Sequence, residues 1–491
     1  MDLKKKKMVG VDEIERKNVN DGFDQDRISN LPNNLIQYIL SFLDTNNAVR
    51  TSVLSTRWKY LWTSLPNLDF YDDKLMHSDI KIEDEVIEKD FAKFIERVLL
   101  LYDGPYINKF YLKIVKLYDS EKVNDWISNV IMRNVREMVL DISNDVLDGG
   151  LFFPRSFFSS ETLTVLKIST ESVLKIPSSV CFSRLKVLYL GFVYVSCYDP
   201  YQEISFSCPV LEELFLEECE WLEIEIVNIT APFLKRLKIK DYPYCHDDRL
   251  YHCQINVSTE SLVSFKLTSN LPYKYSLSDI SSLSNANFDI NFNSYGEVIN
   301  GHVTTALTSI SHVKNLTFSS HTIKALSRAQ LLQHVTMFTC LIHLRLIVEY
   351  DKDTDRGPRF DIGLVVVLLS YLPNIESFLF SNHNRGTEQN WNLPTIPEGS
   401  LSCLKSVELK NFSGSTSELS LVKFLLKNST ILEKMTIDFE RSLLADPVKK
   451  METTTQLQLL STGSPGIFRY SRTDELIQEW QRGSSFMTVD C

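Results

Sequence analysis

The 491-residue sequence lacks much of what marks membrane, secreted or catalytic chains. It has no run of about 18 consecutive apolar residues, so no transmembrane helix is expected. The amino-terminal MDLKKKKMVGVDEIERKN carries no apolar segment behind its basic run and is not expected to be a secretory signal. The Asn-x-Ser/Thr matches at Asn228, Asn256, Asn315, Asn411 and Asn428 are therefore ascribed to chance in a Ser-rich chain. Nine cysteines, an odd number without framework spacing, point to reduced and mostly buried thiols in cytoplasm and/or nucleus. Lys4 to Lys7 read either as part of a nuclear address or as a solvated tail.

Signals for chemistry are equally sparse. There is no G-x-S-x-G elbow, no G-x-x-x-x-G-K-[ST] loop and no H-E-x-x-H pair. Only 16 glycines are present, which leaves little material for loops that bring backbone up to a phosphate. The formal net charge of −11 argues against a general nucleic-acid binder, because phosphate neutralisation needs a local excess of Lys and Arg. One cluster, YCHDDRLYHC, places Cys245, His246, His252 and Cys253 together. Adjacent Cys-His pairs cannot easily aim both side chains at one ion, and a polar loop is favoured over zinc. No cysteine sits beside the His and acid pair that a thiol-ester carrier would need. No cofactor, no metal and no catalytic residues are expected.

What is present is concentrated first in ISNLPNNLIQYILSFLDTNNAVRTSVLSTRWKYLW, residues 28 to 62. Ile36, Ile39, Leu40 and Leu43 recur at i, i+3, i+4, i+7, with Pro32 where a first helical turn tolerates it. Asp44 to Asn47 is turn-like, Ala48 to Leu54 reads as a second short helix, and Ser55 can cap a third carrying Trp58, Leu61 and Trp62. Three short helices bury too little area to offset their chain entropy alone. Leu31, Leu35, Ile39, Val53 and Trp58 cannot all face inward in so small a bundle. They need a covering surface, either the rest of this chain or another protein.

The run L-P-x-x-L-x-x-x-I-L-S-F-L followed by A-V-R-T-S-V-L-S-x-R-W-K-Y-L-W resembles a plant-type F-box over residues 26 to 67. Leu31-Pro32, Val53-Leu54-Ser55 and Arg57-Trp58 carry the likeness. The resemblance implies that this segment binds the Skp-type adaptor of a cullin-based ubiquitin ligase. It implies adaptor contacts from Leu31, Pro32, Leu35, Ile39, Leu40, Val53 and Trp58.

Beyond residue 100 a unit recurs with apolar residues first, fourth and sixth: INKFYL at 107, VREMVL at 135, LTVLKI at 163, LKVLYL at 185, LEELFL at 211 and LKRLKI at 234. It continues with LVSFKL at 262, VKNLTF at 313, LIHLRL at 341, IESFLF at 375, LKSVEL at 404 and LEKMTI at 432. NANFDI at 285 is a weak candidate in the widest gap. Such a period predicts a solenoid in which the fourth and sixth residues enter the core of a curved parallel sheet. Helical or irregular return segments are expected to close each turn.

These units resemble leucine-rich repeats, though only Cys219 and Asn270 occupy the repeat's usual Asn/Cys turn position. Trp391, Pro397, Leu401, Leu404, Gly414, Glu418, Leu425, Lys427, Asn428, Leu432 and Met435 are similar in order to the FBD region of plant F-box proteins. A helix at Leu419 to Lys427 and a last strand are expected to cap the array there.

The expected class is α/β: a polar tail over 1–24, a three-helix F-box over 26–67, leucine-rich repeats over 105–390, an FBD-like cap over 391–445 and a tail over 446–491. On the concave face expected for the repeats, an acidic row with Glu213 and Glu217 lies beside a basic row with Arg236, Lys238 and Lys240. The rows either pair internally or, with Tyr189 and Phe215 as anchors, form a target-binding patch of Tyr189, Glu213, Phe215, Arg236 and Lys238. The resemblance implies a non-catalytic target receptor of a ubiquitin ligase; a scaffold that binds the adaptor without delivering a substrate is the alternative.

Overall fold

The computed structural model describes residues 28, 31–72, 84–116, 118–143, 150–199, 202–241, 253–270, 273–290, 297–328, 330–348, 361–383, 401–460 and 467–471. The amino-terminal tail, Trp391, Pro397 and three members of the Cys/His cluster (Cys245, His246 and His252) lie outside them. No helix among the described residues is long and apolar enough to cross a membrane.

A 15-stranded sheet runs through the molecule, its strands adjacent in chain order and all parallel. Each L-x-x-L-x-L unit becomes one strand, because alternation sends its fourth and sixth side chains to the same face. Leu188 and Leu190, Leu214 and Leu216, and Leu237 and Ile239 are buried in successive strands Val187–Gly191, Glu213–Glu217 and Arg236–Asp241. The weak NANFDI unit is also a rung: Asn285–Ile290 pairs on both sides and buries Phe288 and Ile290. Cys219 does what a repeat turn residue should, its Sγ donating to the Leu190 carbonyl of the preceding turn at 3.3 Å.

Three features differ from the sequence expectation. The sheet begins earlier, with Asn67–Tyr71 pairing in register with Lys109–Ile114, because Leu65, Leu68 and Phe70 already form one repeat unit. It also ends later, since Phe468–Ser471 pairs outside Lys434–Phe439. Third, the central return segments are strands, arranged as a five-stranded and a four-stranded sheet. Segments such as Glu203–Ser207, Ile226–Thr230 and Gln254–Ser258 are too short for a stable helix and alternate apolar with polar, burying Ile204 and Phe206, Val227 and Ile229, and Ile255 and Val257.

Helices close the turns toward both ends. α1 spans Asn33–Leu40, α2 Thr45–Arg50, α3 Asp84–Leu101 and α4 Ser120–Ile131. α4 is capped by Asp119, whose carboxylate accepts from Glu121 N–H at 3.0 Å, and buries Val123, Trp126, Ile127 and Val130 at helical spacing. Near the carboxyl end, Thr416–Asn428 starts with a capping box of Ser415 and Glu418. The buried Glu418 carboxylate accepts from the N–H and hydroxyl of Ser413 and from the Asn382 amide, at 2.8–3.0 Å, so it ties this helix to the strand Ser377–Asn382. Gly414 enters the turn at φ 73°, a conformation that favours glycine.

The amino-terminal helices join this framework directly. α1 packs on the 3-10 helix Trp58–Ser64, and α2 packs on Asn67–Tyr71. Polar clamps fix the seam: Thr45 N–H and hydroxyl donate to Asp69 Oδ1 at 2.8 Å each, and Thr63 Oγ1 donates to Asp103 Oδ1 at 2.8 Å. Ile36, Leu40, Trp58, Leu61 and Trp62 are buried in the same apolar core as the first repeats. Trp58→Ala should therefore destabilise the chain by about 3–5 kcal/mol through cavity formation. Chemical denaturation would show this as a lower midpoint, and an unchanged midpoint would contradict the packing.

Asp241, at the end of Arg236–Asp241, is buried and accepts from the Tyr275 hydroxyl of the return strand Lys274–Ser278. Burial pushes its carboxyl up to about 7, against hydrogen bonds from Ser269 and Tyr275 that favour the charged form. An unfolded Asp titrates at about 3.9, so the folded chain holds this proton more tightly. That contribution to stability is complete below about pH 4 and is lost as pH rises toward about 7. Asp241→Asn should flatten the decline of melting temperature across that window; identical pH profiles for variant and parent would refute it.

Candidate functional site

α1 is apolar on two faces. Ile36 and Leu40 point into the core, while Leu35, Tyr38 and Ile39, with Phe42 in the turn just after the helix, are exposed at the spacing i, i+3, i+4, i+7. The rings of Tyr38 and Phe42 meet edge-on with centroids 4.9 Å apart. Val53 and Leu54, after α2, are also exposed, Val53 by 89%. Arg57 braces the start of α1, its Nη2 donating to the Leu31 carbonyl and its Nη2 and Nε to Asn33 Oδ1 at 2.7 and 3.0 Å. Gln37 Nε2 bonds Ser64 Oγ at 2.8 Å. The buried side is thus sealed and pinned, and the outer side is a preformed greasy surface.

The expected adaptor residues divide accordingly. Pro32, Leu35, Ile39 and Val53 are exposed, and Leu31 is half-buried at the edge. Leu40 and Trp58 are corrections: at 0% and 7% exposure they belong to the core of this chain and cannot present themselves to a partner. The stripe 36/39/40/43 mixes the two faces, because only its first and third members are buried. Tyr38, Phe42 and Leu54 are exposed beside them, the first two at the 35/38/39/42 spacing. The third helix is a 3-10 helix, Trp58–Ser64, rather than an α-helix.

On the sheet's outer face, the acidic and basic rows do pair internally. Glu213 and Arg236 are register partners and ion-paired. Glu217 accepts from Lys240 at 2.8 Å and from the Tyr189 hydroxyl at 3.0 Å. Burial alone would raise the Glu217 carboxyl, but these donors outweigh it and hold it below the ordinary range. Burial and then Glu217 push the Tyr189 phenol well up. Gly191 makes room for that ring, since a Cβ there would lie 2.6 Å from the phenol oxygen. Tyr189 is therefore pinned, while Phe215 and Lys238, its neighbours in the same row, are half-buried.

Burial pushes the Cys208, Cys219 and Cys253 thiols up to about 12, so they are not thiolates at neutral pH. Cys253, the described member of the Cys/His cluster, is buried. Among the described residues no group of His, Cys, Asp and Glu is placed to hold a metal ion. A depression of about 310 Å³ beside Thr336, Phe338 and Leu372 has Tyr371 as its one titratable lining residue.

Comparison with known proteins matches these two parts of the chain to two families. Residues 28–70 match the F-box domain, and residues 101–462 match the leucine-rich-repeat domain described as At1g61320/AtMIF1. The F-box/LRR-repeat protein At4g14096 of Arabidopsis thaliana is 28% identical over 454 residues, 89% of this chain and 92% of that protein. At4g14103, of the same description and organism, is 30% identical over 72% of this chain and 91% of its own length. The Arabidopsis F-box/FBD/LRR-repeat protein At4g26340 is 27% identical over 90% of this chain and its full length. F-box domains typically bind Skp1-type adaptors, and proteins of this kind are generally non-catalytic. With its F-box seated on the first rung of a leucine-rich-repeat sheet, the chain belongs to the plant F-box/LRR-repeat family.

Proposed function

We propose that the chain is the substrate-recognition subunit of a Skp–cullin–F-box ubiquitin ligase. The observation that supports this most is the unpartnered apolar face of α1, Leu35, Tyr38 and Ile39, extended by Phe42, Val53 and Leu54. Covering such side chains gains roughly 1.5–3 kcal/mol each when burial is complete. A Skp-type adaptor is the partner that the F-box match favours. Through it the cullin is reached, and the outer face of the repeats, around Phe215 and Lys238, is left to hold a target protein. The chemistry asked of this subunit is positional: holding a target near a charged ubiquitin carrier raises effective concentration without breaking a bond.

The test separates contact from folding. Ile39→Glu with Val53→Glu places charge on the exposed face only, so the melting temperature should stay within about a degree or two of the parent. Capture of a purified Skp-type adaptor should weaken by more than about thirtyfold, as for loss of a central anchor. Undiminished capture would reject the adaptor surface. Reconstituted ubiquitination of proteins trapped by the repeat region then separates a ligase receptor from a scaffold that delivers nothing.

A further inference from the structure

Among the described residues, Lys238 and Lys266 stand side by side on the outer face of the sheet without entering its ion pairs. Glu213 is taken by Arg236, Glu217 by Lys240 and Tyr189, Glu218 by Lys240 at 3.0 Å, and Asp289 by His321 at 3.3 Å. Lys238 and Lys266 are direct register partners on adjacent strands, and neither has an ion-pair or hydrogen-bond partner among the described residues. Like charges placed opposite each other destabilise a sheet. Burial pulls the Lys238 ammonium below its ordinary pKa, and Lys266 and Lys240 add to that against the attraction of Glu217. The pair is a local conflict that an incoming anion would relieve.

Its surroundings narrow the anion. The row reads Lys167, Tyr189, Phe215, Lys238, Lys266 across five neighbouring strands. With strands about 4.8 Å apart, Lys167 and Lys238 are roughly 14 Å apart, the reach of about four extended residues. The two aromatic side chains between these cations reward an apolar group, which a free inorganic anion lacks. The flanking rows hold Asp141, Glu213 and Glu217, and the chain carries a net charge of −11, so a polyanion as broad as a nucleic acid is repelled.

We infer that Lys238 and Lys266, with Lys167 at the far end and Phe215 between, recognise an acidic, extended segment of a protein partner whose carboxylates bracket an apolar residue. This rests on the reading of the sheet face as the target-binding surface, and specifies its chemistry. The carboxylates settle on Lys238 and Lys266, and the apolar side chain lies against Phe215.

Fluorescence anisotropy on the full chain tests it, using a labelled peptide in which Glu pairs flank a Leu-containing spacer. The same peptide with Gln for Glu, and sodium pyrophosphate as competitor, complete the probes. The acidic peptide should bind, and binding should weaken roughly tenfold both for the Gln peptide and for the Lys238→Gln/Lys266→Gln variant. Lys238→Arg/Lys266→Arg should retain it. The Gln variant should also melt at the same temperature as the parent or higher, because a repulsion has been removed.

Equal binding of the Gln peptide, an unaffected Gln variant, a lowered melting temperature, or displacement by pyrophosphate at matched charge would each overturn the inference. Adaptor capture, measured on the same preparations, is expected to be unchanged. Captured adaptor with no preference for acid removes this inference and leaves the ligase reading standing; preference for acid without adaptor capture does the reverse.

Discussion

In-register parallel pairing of short strands is the constraint from which both working surfaces of this chain follow. Each repeat sends its fourth and sixth residues inward, and a slip of one position would put Glu213 and Glu217 into the core and Leu214 and Leu216 into water. Register is therefore held by burial in every strand, and neighbouring strands hold each other. One consequence is that the outward side chains form straight rows across the sheet. Val187, Glu213, Arg236 and Ser264 align, as do Tyr189, Phe215, Lys238 and Lys266.

The F-box depends on the same ladder. Its last residues supply the first rung, and Thr45, Thr63 and their carboxylate partners lock the helices onto it. This explains why a segment too small to fold alone can nevertheless be rigid. One face of α1 is spent on the chain's own core through Ile36 and Leu40, and the opposite face stays free because α1 is apolar on both. Holding such a surface in place before a partner arrives lowers the ordering cost of association.

The two surfaces differ in kind, which suits a division of labour. The helical face is apolar and non-directional, appropriate to a constant partner. The sheet face is mixed, with Glu213, Glu217 and Asp289 already engaged by Arg236, Lys240, Tyr189 and His321, so what it offers outward there is set by the groups that remain. The effect of these pairs is to fix which side chains are free to meet another molecule.

The main architecture was legible in the sequence because periodicity records alternation directly. Repeats of six residues with apolar first, fourth and sixth positions became rungs of one sheet, and even NANFDI, the weakest, joined it. Faint units at Leu65 and Ile467 were legible in principle but lay outside the region where the period is regular. The pattern could not tell which face of α1 would be covered, since Ile36, Ile39, Leu40 and Leu43 are all apolar and only packing against Trp58–Ser64 separates them. Nor could it show that Trp58 seals the chain's own core, or that Lys238 and Lys266 lie side by side without a carboxylate between them. By itself the sequence determined the fold class, the repeat, and the presence of an apolar amino-terminal segment, because these depend on spacing along one strand or helix. Which side chains are spent inside and which remain for a partner was decided only by tertiary structure, because burial and charge pairing are settled between elements far apart in the chain.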